Sequence, residues 1–241
     1  MAIMRILIVG AGRAGRSFAA ALCESHDVTL RHHDELPVDT DADLVLLCVP
    51  DDAIEATASR VSTASSTVVA HVAGSRGLEV LGAHSRIGSL HPLLAMPDAA
   101  IGARRLRGGV FTVEGDELLG DVVASLGGRT ITVAPERRTL YHATAVSAAN
   151  HLVALMGSVQ SLAHAAGLVL ADFLPLARQS LDDVEALDPA RALTGPASRG
   201  DFATIAAHLA VVPEEERATY AALADRARRI GATAKAPACT A

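Results

Sequence analysis

Two rhythms of hydrophobic and polar positions divide this chain. Through about Pro135, short unbroken apolar runs alternate with segments whose apolar residues recur at helical spacing. Apolar runs bounded by turn residues are what strands buried on both faces look like, so the alternation predicts a mostly parallel sheet covered by helices. Strands are expected at Arg5–Val9, Val28–Arg31, Leu44–Val49, Thr67–His71, Arg86–Leu90, Gly109–Val113 and Thr130–Val133, and helices at Ala14–Glu24, Asp52–Val61, Gly77–Gly82 and Glu117–Leu126. Only about a dozen residues separate the second strand from LVLLCV, too few for a full helical crossover, so one crossover must be abbreviated. After Pro135 the strand pattern stops, and Thr139–Ala166, Ala171–Ala186, Asp201–Leu209 and Pro213–Ile230 read as helices. The last opens with Pro213 and three glutamates and closes with Arg226, Arg228 and Arg229, which suits a helix dipole. The expected organisation is an α/β domain over 1–135 and an all-helical domain over 136–241, with the final GATAKAPACTA frayed.

Composition narrows the class. Half of the 241 residues are hydrophobic, but there are only two tyrosines and no tryptophan, so the core is built from Ala, Val and Leu. A net charge of −6 without a basic run argues against nucleic acid as a partner. The start, MAIMRILIVG, is too short in apolar residues for a signal peptide, and no run approaches the roughly 18 residues of a membrane span, so a cytoplasmic protein with no membrane partner is expected. Cys23, Cys48 and Cys239 show no metal or redox spacing and read as reduced thiols.

The first strand runs into GAGRAG, with Gly10, Gly12 and Gly15 at the G-x-G-x-x-G positions and an apolar-periodic helix directly after. In that context Gly10 serves the tight turn, Gly12 lets a pyrophosphate approach the backbone, and Gly15 lets helix and strand pack closely. Arg13 and Ala14 would present the free N–H groups of the helix start to the phosphates. A purely structural glycine turn is the bland alternative. The second strand ends in VTLRHHDE; Arg31, His32 and His33 stand where an NAD site carries an acid, so a 2′-phosphate and hence NADP is preferred, with NAD an alternative. Val49 and Pro50, where the LVLLCVPDDAI strand breaks, fall on the same rim, and Asp51 or Asp52 is expected to cap the next helix.

Further along, VVAHVAGS puts Gly74 and Ser75, and IGSLHPLL puts His91, at strand ends where ligands of open α/β sheets gather. Together GAGRAG, LCVPDDAI, GSLHPL, YHATAVSAANHL and ALTGPASRGD resemble the bacterial Rossmann-like proteins with a C-terminal DUF2520 domain, within the superfamily related to 6-phosphogluconate dehydrogenase. The resemblance implies a Rossmann-type NAD(P)-dependent oxidoreductase whose helical domain completes the active site and forms a homodimer. It also implies a role near pantothenate synthesis, with reduction of a 2-oxo acid, ketopantoate foremost. One departure stands out. Related reductases carry a Lys four residues before an Asn on the first helix of the second domain; Asn150 fits that Asn, but the Lys position is Val146.

The proton for a ketone reduction must therefore come from elsewhere. His142 and Asn150 lie two turns and about 80° apart on one helix and can share a cleft. An imidazole near neutrality can protonate an alkoxide, and an amide can orient the carbonyl, so His142, His91 and Asn150 are the catalytic candidates; Tyr141, about 100° round the helix from His142, is a weaker one. For each the alternative is an ordinary hydrogen bond within the core. Arg199, the only cation of the ALTGPASRGD loop, can clamp a carboxylate, with Thr194 and Ser75 as further substrate contacts; tying the loop to Asp182 or Asp183 is the competing role. Two rival classes remain: a non-catalytic dinucleotide sensor or scaffold, and, weaker, a metal-dependent hydrolase using His71, His84 and His91, which lack metal-ligand spacing.

Overall fold

The computed structural model describes residues 2–82 and 84–234. Cys239 and the tail after Ala234 lie outside the described residues. Contacts divide the chain into two compact units, one running to Asn150 and one starting at His151.

The first unit is a doubly wound α/β structure. Its elements are β1 (Arg5–Val9), α1 (Arg13–Leu22), β2 (Asp27–Arg31), β3 (Val38–Thr40), β4 (Leu44–Leu47), α2 (Ile54–Ala58), β5 (Val61–Thr63), β6 (Val68–His71), β7 (Arg86–Pro92), α3 (Ala99–Leu106), β8 (Val110–Gly115), α4 (Leu118–Ser125), β9 (Arg129–Ile131) and α5 (Arg138–Val146). A π-helical turn over Ser147–His151 follows α5. Seven strands form one sheet in the order β2-β1-β4-β6-β7-β8-β9, all neighbours parallel except β7 with β8. Alternate residues serve opposite faces: Ile6, Ile8, Leu44 and Leu46 join Phe18 of α1 and Phe111 of β8 in one core layer, whereas Leu7, Val9, Val45 and Leu47 join Ile54 of α2 and Leu81 in the other. The strand order reverses between β1 and β4, so their carboxyl ends open the crevice where such sheets bind ligands.

The abbreviated crossover after β2 is a 3-10 turn at His33–Glu35 followed by β3, which pairs with β5 in a small separate sheet. Three expectations change. The helix expected over Asp52–Val61 shrinks to α2 because Val61 is drawn into β5; that over Gly77–Gly82 is a single 3-10 turn at Leu78–Leu81; and α3, capped by Asp98 through the Ile101 N–H at 2.8 Å, is an element the sequence pattern did not reveal. Asp51 and Asp52 do not cap α2: its N-cap is Ala53, without a side-chain bond, and the Asp51 carboxylate accepts the Ser75 hydroxyl instead.

Among the described residues the regular elements of the second unit are helices: α6 (Leu152–Ala165), α7 (Leu170–Leu187), α8 (Pro189–Ala192), α9 (Pro196–Arg199), α10 (Phe202–Val211) and α11 (Glu214–Ala234). Asp201 caps α10 as expected, accepting from the Thr204 backbone and hydroxyl. Its buried hydrophobic residues are few, Ala163 and Val212 among them, while Val211, Val153 and Phe202 are 80%, 72% and 64% exposed. Among the described residues no helix is long and apolar enough to cross a membrane.

Candidate active site on the carboxyl edge of the sheet

The glycine turn has the construction a dinucleotide needs. Gly10 adopts φ +111°, and a Cβ there would stand 2.4 Å from the Cys48 carbonyl oxygen; a Cβ at Gly15 would stand 1.8 Å from the Gly10 carbonyl oxygen, so both positions are closed to side chains. Gly12 faces open space, with nothing within 4 Å of a Cβ, and it is the N-cap of α1 without any side-chain cap bond. The N–H groups of Arg13 and Ala14 are thus left at a positive helix end beside a gap, which fits a pyrophosphate. Val49 and Pro50 come one residue after β4, and Val49 Cγ1 would stand 3.2 Å from a Cβ on Gly10 across the switch point.

At the end of β2 charges of both signs are interleaved. Arg31 Nη1 lies 3.3 Å from Glu35, whose other oxygen accepts the His32 backbone N–H at 2.7 Å, and Asp34 sits 3.0 Å from both His32 Nδ1 and His33 Nε2. His32, His33 and Asp34 are also the side chains gathered within reach of one metal ion among the described residues, and all three are exposed. His71 and His84 have other employment. His71 accepts the Ala73 N–H and reaches the Gly77 carbonyl at 3.1 Å; His84 bridges Thr63 and the Ala58 carbonyl. His71 thereby fixes the turn that presents Gly74.

Around Gly74 an aromatic cluster forms. Antiparallel pairing puts His91 opposite Thr112 and Ser89 opposite Glu114, so these four share one face of β7 and β8. α5 lies along that face. Its first residue, Arg138, is buried, pairs with Glu114 and donates to Ser89 Oγ at 3.3 Å. One turn on, at the i+3 and i+4 positions that follow the same helix face, come Tyr141 and His142. Tyr141 Oη is 2.8 Å from His91 Nδ1, with the rings edge to face at 5.6 Å. The His142 ring is 6.1 Å from that of His91. A Cβ on Gly74 would stand 2.7 Å from His91 Nε2 and 2.8 Å from His142 Nδ1, so glycine is what allows both nitrogens to converge there. His142 Nδ1 is buried and has no hydrogen-bond partner among the described residues.

Burial pushes the His91 imidazole down to about 4, helped by His142 and Arg138 and opposed by Asp51. Burial also raises the Tyr141 hydroxyl above its usual range, against the pull of the Thr112 hydroxyl and Arg138. Both groups are therefore neutral at pH 7. They open on a hollow of about 500 Å³ that His142 and Asn150 also line, walled by Leu93, Leu94, Ile131 and Val146.

Of the candidates taken from the sequence, His91, His142 and Asn150 are brought to one pocket. Ser75 is exposed and its hydroxyl is committed to Asp51. Arg199 ends α9 and Thr194 precedes it, both in the second unit; Arg199 forms no ion pair with Asp182 or Asp183 among the described residues. Tyr141, graded below His142 on helix angle, makes the hydrogen bond to His91, and Arg138 was missed. The signal for both was the i, i+3, i+4 spacing of Arg138, Tyr141 and His142.

These features define a Rossmann-type α/β unit with a site on its carboxyl edge. Residues 110–227 match the family model described as a domain of unknown function, DUF2520, a match that runs from the start of β8 into α11. Comparison with curated proteins gives no match. Among solved structures, a candidate NADP oxidoreductase of Bacteroides fragilis is 21% identical with a TM-score of 0.78, covering 94% of this chain and 98% of its own. A protein of Thermotoga maritima is 22% identical with a TM-score of 0.72, covering 96% and 100%. The reductive aminase of Aspergillus terreus, in complex with NADPH and ethyl levulinate, is 14% identical with a TM-score of 0.68, covering 96% and 98%. The shared property is the fold.

Proposed function

We propose that the chain is an NADPH-dependent oxidoreductase that reduces a small carbonyl or imine compound. The observation that carries this reading is that an open, uncapped glycine turn and a neutral phenol–imidazole pair stand on the same edge of one sheet. The fold is shared with a candidate NADP oxidoreductase and with a reductive aminase holding NADPH, which supports the same cofactor. Gly10, Gly12, Arg13, Ala14 and Gly15 hold the pyrophosphate, with Val49 and Pro50 against the other side. Arg31 and His32 meet the 2′-phosphate; releasing Arg31 from Glu35 costs at most about 1 kcal/mol, as for other exposed pairs. Asp34 and Glu35 offer acceptors for a free ribose, so NADH is a weaker substitute.

When bound, the dinucleotide supplies a hydride to the substrate carbon. The chain supplies the proton. With His91 protonated on Nδ1 and donating to Tyr141 Oη, the phenol proton is free for the substrate oxygen or nitrogen, and water replaces it afterwards. Asn150 orients the reacting group, and His142, with Nδ1 unpaired, offers a second polar contact. A 2-oxo acid, ketopantoate included, is the narrower alternative that the sequence resemblance suggested.

A non-catalytic dinucleotide sensor is the second reading, favoured by Val146 in place of a Lys. Calorimetric titration with NADPH and NADH, followed by a turnover screen, tests both. Tighter NADPH binding with turnover supports the reductase; binding without turnover of any carbonyl or imine leaves the sensor; no binding of either nucleotide removes both. We also propose a cytoplasmic homodimer. Leu168, Val169, Leu176, Leu181, Phe202 and Val211 of the second unit are exposed, and apolar helical residues of this kind can pack across a two-fold axis. Sedimentation showing only monomer at micromolar concentration would oppose it.

A further inference from the structure

Resting on the reductase reading, we infer that the substrate taken at the His91–Tyr141 pocket is an uncharged, largely apolar ketone or imine rather than a carboxylate. Among the described residues no Lys, Arg, Asp or Glu lines the pocket. Its wall is Leu93, Leu94, Ile131 and Val146 with small alanines between them, and its polar groups are few. Thr144 is turned to the Leu140 carbonyl at 2.9 Å, and His91 is engaged with Tyr141. Two guanidiniums bond beside the lining residues without being among them. Arg138 is held by Glu114 and Ser89, and Arg105 donates to the Ala95 carbonyl at 2.7 Å.

A carboxylate moved into such a wall loses its water and gains no cation, which disfavours it whatever the rest of the molecule contributes. A ketone or imine loses little on transfer, fills the apolar wall, and needs one proton donor at its heteroatom, which the Tyr141 hydroxyl provides. The reaction balances: hydride to carbon, the Tyr141 proton to oxygen or nitrogen, and a proton from water back to Tyr141.

The test uses the full chain and matched pairs differing by a carboxylate: 2-pentanone against 2-oxopentanoate, and 1-pyrroline against 1-pyrroline-5-carboxylate. NADPH binding is first measured by its fluorescence, then NADPH oxidation and ligand-observed NMR binding are recorded for each pair. The expected result is a preference for the neutral members of at least about 100-fold in kcat/KM, since an unpaired buried charge is penalised heavily. Val146→Arg, which adds a cation to the wall, should shift the preference toward the carboxylates. Equal or better use of the carboxylates, or neither member bound or reduced by the NADPH complex, overturns this inference and leaves cofactor binding standing. Absence of NADPH binding removes the reductase reading and this inference together.

Discussion

Gly74→Ala isolates the chemistry of the cluster from the stability of the fold. The new methyl would meet His91 Nε2 at 2.7 Å, His91 Cε1 at 2.8 Å and His142 Nδ1 at 2.8 Å, against 3.4 Å or more for ordinary contact. Restoring that separation moves each ring by about 0.6–0.7 Å, and because both are the ends of rotatable side chains, they can swing aside without moving a strand. Gly74 has no positive φ, so the backbone adds no strain. The expected cost in stability is about 1 kcal/mol or less, whereas a displacement approaching 1 Å at reacting groups costs on the order of 10–100-fold in turnover. The assay is kcat with a ketone, beside a thermal melt and NADPH titration on the same sample. Histidine NMR titration adds a readout independent of turnover: with the bond to Tyr141 loosened and the ring pushed outward, the His91 transition should rise from about 4 toward that of an exposed imidazole. Unchanged kcat, with NMR showing the rings displaced, would refute the assignment of these groups to the reacting centre.

Other perturbations address the remaining links. Tyr141→Phe removes the proton donor and should lower turnover by about 10²–10³-fold while leaving NADPH affinity within about twofold; a small loss would transfer the role to His142. Gly10→Ala, at φ +111° and against the Cys48 carbonyl, should destabilise by about 2–4 kcal/mol in urea unfolding; Gly12→Ala, in open space, should melt like the parent and bind NADPH at least about tenfold more weakly. His91 stays neutral in the folded protein to about pH 4, but titrates near 6.5 when unfolded, so between those values the unfolded chain binds more protons and stability falls as pH drops. For His91 the loss is at most about 2 kcal/mol at pH 5, and buried His26 and His71 act in the same direction; equal urea midpoints at pH 7.5 and 5 would contradict it.

The sheet was legible because buried parallel strands are written as apolar runs that little else in a sequence imitates; all seven strands of the main sheet are found where LVLL, VVAH and their kin stand. α3 was not, because its buried face is short and partly without side chains: only Ala103 and Leu106 of its eight residues enter the core, and beside them a Cβ on Gly102 would stand 2.1 Å from Ser17 Oγ of α1. β3 and β5 are three-residue strands that gain their identity only from each other. At the site, helical angles placed His142 and Asn150 on one wall, yet the same angles demoted Tyr141. The ring reaches His91 because α5 lies along the β7–β8 pair, anchored by Arg138, and that placement is a tertiary fact. The 3-10 turn after β2 likewise decides that Arg31 and His32 come with their own carboxylates.

Gly12 has a consequence for how this chain would change over generations. Mutation is filtered at Gly10 and Gly15 by collision with the backbone, whatever the protein does, because a chain that cannot fold is lost. At Gly12 no neighbour imposes that filter, and only a ligand drawn up to the main chain would keep larger residues out. Lineages that abandoned nucleotide binding while keeping the fold would therefore be expected to retain the first and third glycines and let the second drift. Position 12 is a record of use, where its neighbours are a record of architecture.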